Sequence, residues 1–206
     1  MKQQVFFIHG AESYSNYEDF LHDLQYEDMG DPLAERPKRW YQTLKSELAD
    51  GYEVYMPSMP NKENAKYLEW KFWFERHFEF LRDEVILVGH SQGAMFLTKY
   101  VIENTTPFSI KALLLVAAPW PVTDRVNDSR EDGGDFTCDT ARVRELAQKT
   151  DQIVLFHSKD DFVVPYEHAL KYKAALPTAE LVTFEDKNHF LIPQFPELLE
   201  IIRTVA

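Results

Sequence analysis

Five residues constrain the fold of this chain more than any others: Gly89-His90-Ser91-Gln92-Gly93. They follow the apolar run Val85-Ile86-Leu87-Val88 and precede Ala94-Met95-Phe96-Leu97, which opens a helix-like stretch. A strand must therefore turn into a helix within about three residues, with Ser91 at the apex. Such a turn holds the serine in a strained backbone conformation and lifts its hydroxyl clear of the sheet edge. Glycines two before and two after are required where a Cβ would collide with the neighbouring strand and helix. A glycine-rich turn with an N-cap serine would account for Ser91, but not for both glycines. The G-x-S-x-G spacing in this setting points to Ser91 as a nucleophile.

The remaining chain alternates between strand and helix signals. Short apolar runs at 3–8, 52–56, 85–88, 111–117, 152–157 and 181–184 read as strands, and 111–117 is apolar throughout, as a strand buried on both faces should be. Helices are expected over 38–49, 65–81, 94–104, 140–149, 165–175 and 196–205. In the second of these, Tyr67, Trp70, Phe74, Phe78 and Leu81 recur at spacings of three and four. This alternation predicts an α/β fold, one mostly parallel sheet of about six strands with helices on both faces. Two stretches resist that pattern. Residues 11–37 interleave acids with aromatics (Glu12, Tyr14, Tyr17, Glu18, Asp19, Phe20) and read as a short helix with a solvated acidic face, or as a lid or rim beside the site. Residues 119–139, rich in Pro, Gly, Asp and Arg, read as a mobile loop. No linker or repeat interrupts residues 1–206, which read as one domain.

Composition narrows the function classes. A formal net charge of −12 argues against nucleic-acid backbones and anionic membranes as partners. No apolar run approaches the ~20 residues needed to span a bilayer. The apolar stretch in the first ten residues is too short for a signal peptide, and the single cysteine, Cys138, allows no internal disulfide, so a cytoplasmic location is expected. There is no G-x-G-x-x-G after the first strand, no P-loop and no His/Cys/Asp cluster at metal-ligand spacing, so neither a nucleotide nor a metal is implied.

A serine hydroxyl needs a base to take its proton as it attacks, and a histidine oriented by a carboxylate is the usual base. Of the seven histidines only His157, His168 and His189 follow Ser91. His157 precedes the candidate acid, which is the wrong chain order. His168 falls inside an expected helix and is read as facing away from the strand ends. His189 lies in the loop after the last strand, where a base should be. The acid should follow the fifth strand, and Asp160 and Asp161 stand there side by side. Asp161 is preferred as the residue orienting His189, with Asp160 second and the other aspartate capping the turn or the following helix. Asp124, after the fourth strand, is a third candidate. An oxyanion hole would need two backbone N–H groups. Gln92, following the nucleophile at a helix N-terminus, and Ala11, in the loop after the first strand, are the candidates. His9 and His90 read as structural supports.

The chain resembles the α/β-hydrolases, more narrowly the small serine hydrolases of the retinoblastoma-binding protein 9 and YdeN type. The resemblance rests on Phe7-Ile8-His9-Gly10, the Gly89–Gly93 turn, Ser158-Lys159-Asp160-Asp161-Phe162-Val163-Val164-Pro165 and Asn188-His189-Phe190, with Met56-Pro57-Ser58-Met59-Pro60-Asn61 and the tandem aspartates as further points, and it covers nearly the whole chain. It implies a reduced single-domain α/β-hydrolase fold, the triad Ser91, Asp161 and His189, and no metal or organic cofactor. The expected function is hydrolysis of carboxylic esters or related small acyl substrates through an acyl-enzyme. The alternatives are a binding or scaffolding module that has lost turnover, and an acyltransferase or peptidase using the same three residues.

Overall fold

Apolar runs too short for helices, bounded by polar turns, become six strands in the computed structural model, which describes residues 1–35, 37–123 and 130–206. These are β1 (Gln3–Ile8), β2 (Tyr52–Tyr55), β3 (Val85–His90), β4 (Ile110–Val116), β5 (Thr150–Ser158) and β6 (Glu180–Phe184). They form one sheet in the order β2-β1-β3-β4-β5-β6, with every neighbouring pair parallel. Parallel neighbours need crossover connections, and the helices α1 (Tyr17–Tyr26), α2 (Leu44–Leu48), α3 (Tyr67–Glu75), α4 (Gln92–Glu103) and α5 (Glu167–Ala175) lie between the strands, while α6 (Pro196–Val205) follows β6. This is the α/β architecture expected of the sequence.

The two faces of the sheet carry separate cores. Phe6, Ile8, Leu87, Leu113 and Leu115 point toward α3, α4 and α5, whose Trp70, Phe74, Phe96 and Tyr172 close that side. Val5, Phe7, Ile86, Val88, Leu114 and Val116 point the other way, against Leu44 and Leu48 of α2 and Leu198 and Ile202 of α6. Burying each such side chain contributes roughly 1.5–3 kcal/mol. The alternation slips once: Ile110 and Ala112, two apart, belong to opposite cores, because the register with β3 shifts between Val85 and Ile86.

Three expected helices differ in detail. The 38–49 segment is a 3₁₀ turn, Trp40–Gln42, followed by the short α2. The 65–81 helix stops at Glu75, and a 3₁₀ turn, Phe78–Phe80, continues the chain. The His77 ring bonds the Trp73 carbonyl at 2.7 Å, occupying the acceptor that the next helical amide would use, and the His77 N–H turns to Phe74 O instead. The segment expected as a helix over 140–149 winds as a 3₁₀ helix, Thr140–Gln148. Its two buried residues, Val143 and Leu146, are three apart, the spacing that a 3₁₀ helix stacks on one edge.

Of the 119–139 stretch expected to be a mobile loop, 124–129 lie outside the described residues, whereas 130–139 is packed. Phe136 is fully buried against Trp70 and Phe96, and the Lys99 ammonium bonds the carbonyls of Asp135 and Thr137. Arg130 pairs with Asp19 of α1 at 2.7 Å. In the 11–37 stretch, Asn16 caps α1 by accepting from the Asp19 N–H, and Asp19 is buried. Among the described residues no helix is long and apolar enough to cross a membrane.

Strand order reverses direction between β1 and β3. A crevice opens there beyond the strand carboxyl ends, where open α/β sheets bind ligands. The β1 and β3 ends carry Gly10-Ala11 and Ser91.

Candidate active site

Ser91 has φ 52° and ψ −123°, a conformation few non-glycine residues adopt. The Ser91 N–H bonds Val116 O of β4 at 2.9 Å, and the Ser91 carbonyl accepts from Ala94 at 2.9 Å as α4 begins. The strain is thus held from both sides. A Cβ on Gly89 would lie 2.6 Å from the Ala94 backbone, and one on Gly93 would lie 2.7 Å from the His9 carbonyl, so both positions require glycine. Gly10 is packed against the Ser91 side chain from the β1 end.

At the far side of the crevice, Asp161 follows β5 and His189 follows β6. The His189 Nδ1 lies 2.9 Å from Asp161 Oδ2 and 3.0 Å from Oδ1. A carboxylate only accepts, so Nδ1 carries the hydrogen and a neutral ring keeps Nε2 as an acceptor. Asp161 is itself fixed, its Oδ1 accepting from the Val163 and Val164 amides at 2.9 and 2.8 Å. Asp161 therefore both meets His189 and caps its own turn, a division of labour that differs from the expectation of one task per aspartate. Asp160 instead reaches the other loop, its Oδ1 accepting from the Asn188 N–H at 2.8 Å. Asp124 lies outside the described residues.

His90, His9, His157 and His168 are tied to backbone. His90 donates from Nε2 to the His189 carbonyl at 3.0 Å, and burial pushes its pKa down to about 3, so the ring stays neutral. His9 accepts from the Met59 N–H at 2.9 Å through Nε2 and donates from Nδ1 to Gly10 O, which ties the β1 loop to the β2 loop. Burial also lowers the His9 pKa. His157 donates to Val164 O at 2.8 Å with its ring 3.6 Å from Asp161 Oδ2, a contact that its place in the sequence did not suggest. His168 was expected to face away from the strand ends. It is buried in the first turn of α5, accepts from the Trp120 N–H at 2.8 Å, and lines a cavity that reaches Ser91.

Two cavities meet at Ser91. One of about 600 Å³ also contains Ala11, His90 and His189, with Tyr41, Met56 and Leu191 among its apolar walls. The other, about 290 Å³, runs from Ser91 and Gln92 past Met95, Trp120 and Phe162. Gln92 is the first residue of α4, where an amide has no acceptor within its own helix. The Ala11 loop is pinned by bonds from Glu12 N–H to Lys62 O at 2.9 Å and from Ala65 N–H to Glu12 O at 2.8 Å. Carboxylates concentrate here: Glu12 and Glu131 line both cavities, and Glu27 and Asp132 line the smaller. Burial, with Glu12 adding to it, pushes the Glu131 carboxyl up to about 8. Among the described residues no three His, Cys, Asp or Glu side chains converge as metal ligands would.

A family described as serine hydrolase matches residues 33–199 of this chain. The rat protein serine hydrolase RBBP9 (Rattus norvegicus) is 24% identical over 168 residues, covering 81% of this chain and 86% of the relative. Among solved structures, the YdeN gene product of B. subtilis superposes with a TM-score of 0.74 at 19% identity over 99% of this chain and 98% of that one. The 2-hydroxy-6-oxo-6-phenylhexa-2,4-dienoate hydrolase of Rhodococcus sp. strain RHA1 gives 0.66 at 14% identity over 99% and 90%. A thioesterase domain from the curacin biosynthetic pathway gives 0.63 at 15% identity over 98% and 91%. These structural likenesses establish the fold.

Proposed function

The chain belongs to the serine hydrolase family, and we propose that it cleaves carboxylic esters or related small acyl compounds through an acyl-enzyme formed on Ser91. The observation that carries this reading is the buried Asp161–His189 pair, whose imidazole lines one cavity with a serine held at positive φ. Ser91 Oγ attacks the acyl carbon while His189 Nε2 takes its proton. Asp161 keeps the hydrogen on Nδ1 and stabilises the imidazolium. The Ala11 and Gln92 amides receive the negative charge that develops on the carbonyl oxygen. Collapse of the tetrahedral intermediate expels the alcohol, which takes the proton back from His189. Water then enters by the same route in reverse, and the acid returns to solution.

The two cavities suit an acyl group on one side and a leaving group on the other. The smaller is lined by Glu12, Glu27 and Asp132, with Glu131 largely protonated near neutrality, and among the described residues by no lysine or arginine, which favours a substrate bearing a cationic group over its anionic counterpart. A carrier-bound thioester or an amide would meet the same catalytic residues, so the leaving group is set by the cavity. The cytoplasm is the proposed location.

The test is a panel of p-nitrophenyl esters of increasing acyl length, in cationic, neutral and anionic versions, assayed on wild type and Ser91→Ala. Turnover confined to wild type, with the cationic ester preferred at low salt and the preference fading with ionic strength, supports the reading. A folded wild type that turns over none of the esters, while retaining a protein partner, would favour the binding-module alternative.

A further inference from the structure

Both neighbours of His189 have left-handed backbone, Asn188 at φ 44° and Phe190 at φ 53°. Such residues persist only where the surroundings over-determine them. Beside the His90 bond to the His189 carbonyl and the turn bonds from the Phe190 and Leu191 amides, the surroundings here include one small network at the end of β5. The Ser158 hydroxyl, fully buried, accepts from the Lys187 N–H at 2.9 Å and donates to Asp160 Oδ1. The same Asp160 oxygen accepts from the Asn188 N–H at 2.8 Å. Two consecutive amides immediately before His189 are thereby tied to Ser158 and Asp160, at the strand end that leads to Asp161.

We propose that Ser158 and Asp160 are positioning residues: their shared hydrogen bond clamps the Lys187–Asn188 backbone so that the His189 ring is held between Asp161 and Ser91. The proposal rests on the reading of His189 as the base. The imidazole bond to Asp161 fixes the ring only if the backbone carrying it stays in place, and the left-handed pair would otherwise relax. Ser158→Ala leaves the Lys187 N–H without its acceptor, and Asp160→Ala does the same to Asn188. Both bonds to Asp160 end on Oδ1, so Asp160→Asn, which keeps one carbonyl oxygen, retains them.

The experiment measures kcat and KM for the best ester, the thermal midpoint, and the far-downfield proton resonance of the His189 Nδ1–H in wild type, Ser158→Ala, Asp160→Ala and Asp160→Asn. Each alanine variant should lose about tenfold in kcat, the loss of one net hydrogen bond, with KM unchanged and the resonance broadened by exchange. Asp160→Asn should restore both. Folded alanine variants with wild-type kcat and an unchanged resonance would overturn the proposal. So would an Asp160→Asn as impaired as Asp160→Ala. A lowered thermal midpoint with no change in kcat or resonance would reduce the network to a structural role and also overturn it. If wild type proves unreactive at Ser91, the reading of the base fails separately, and the resonance alone then decides whether the network holds the ring.

Discussion

Replacing Asp161 with asparagine exchanges one oxygen for an NH₂ group, and the structure determines which one. Asp161 Oδ1 accepts from the Val163 and Val164 amides at 2.9 and 2.8 Å, and an amide can only donate. Turning the NH₂ toward them would leave two donors unsatisfied at about 1–3 kcal/mol each. The asparagine oxygen therefore stays with the turn, and its NH₂ takes the Oδ2 position, 2.9 Å from His189 Nδ1. A donor now faces Nδ1 at the shorter distance, while the retained oxygen, 3.0 Å away, is already taken by the two turn amides. The tautomer with its hydrogen on Nε2 is therefore favoured and cannot accept the proton of Ser91. Comparable substitutions in Ser-His-Asp enzymes cost about 10⁴-fold in turnover, or about 5.4 kcal/mol of barrier. The assay is steady-state ester hydrolysis beside thermal unfolding, with the midpoint expected to change little because the turn keeps its cap. A folded Asp161→Asn protein that turns over like wild type would refute the reasoning.

Three further perturbations test other parts of the structure. Gly93→Ala places a Cβ 2.7 Å from the His9 carbonyl, and separating β1 from α4 to admit it should cost about 3 kcal/mol or more, a fall of about 6–12 °C in Tm; an unchanged Tm would contradict the close packing. Glu131 ionises near 8 when folded against an ordinary 4.5, so between those values the unfolded chain releases a proton that the native state keeps. Native stability should therefore fall as pH rises through that window in wild type but not in Glu131→Gln, and parallel Tm curves from pH 5 to 8 would contradict it. Arg130→Ala removes one partner of Asp19, a pair with a half-exposed arginine worth about 1 kcal/mol. Amide exchange in α1 should accelerate, and unchanged protection would show that the pair does not anchor the helix.

The strands and the serine turn were legible in the sequence because each rests on local physics: apolar runs bounded by turns, and two glycines where a Cβ cannot fit. The same was true of α6, which begins at Pro196 as expected. What was hidden depended on contacts between distant segments. The end of α3 follows from the His77 ring taking the Trp73 carbonyl, a choice that periodicity does not record. Tandem aspartates look equivalent in a sequence, yet Asp161 faces His189 while Asp160 reaches Asn188, 28 residues away. The expectation that His168, inside a helix covering the sheet, faces away from the strand ends fails because the Trp120 amide donates to its ring and draws it inward. Glu131 and Asp132 came from a stretch read as a loop, and distant contacts such as the packing of Phe136, the Asp19–Arg130 pair and the Ser15 N–H bond to Asp132 bring that stretch over Ser91.

The central claim, that Ser91 is an activated nucleophile, is tested most directly by intact mass after exposure to a small fluorophosphonate, in wild type and Ser91→Ala. The account predicts a single adduct on wild type, mapped to Ser91 and missing from the variant. A folded wild type that gains no adduct, or a Ser91→Ala protein labelled at the same rate, would contradict it.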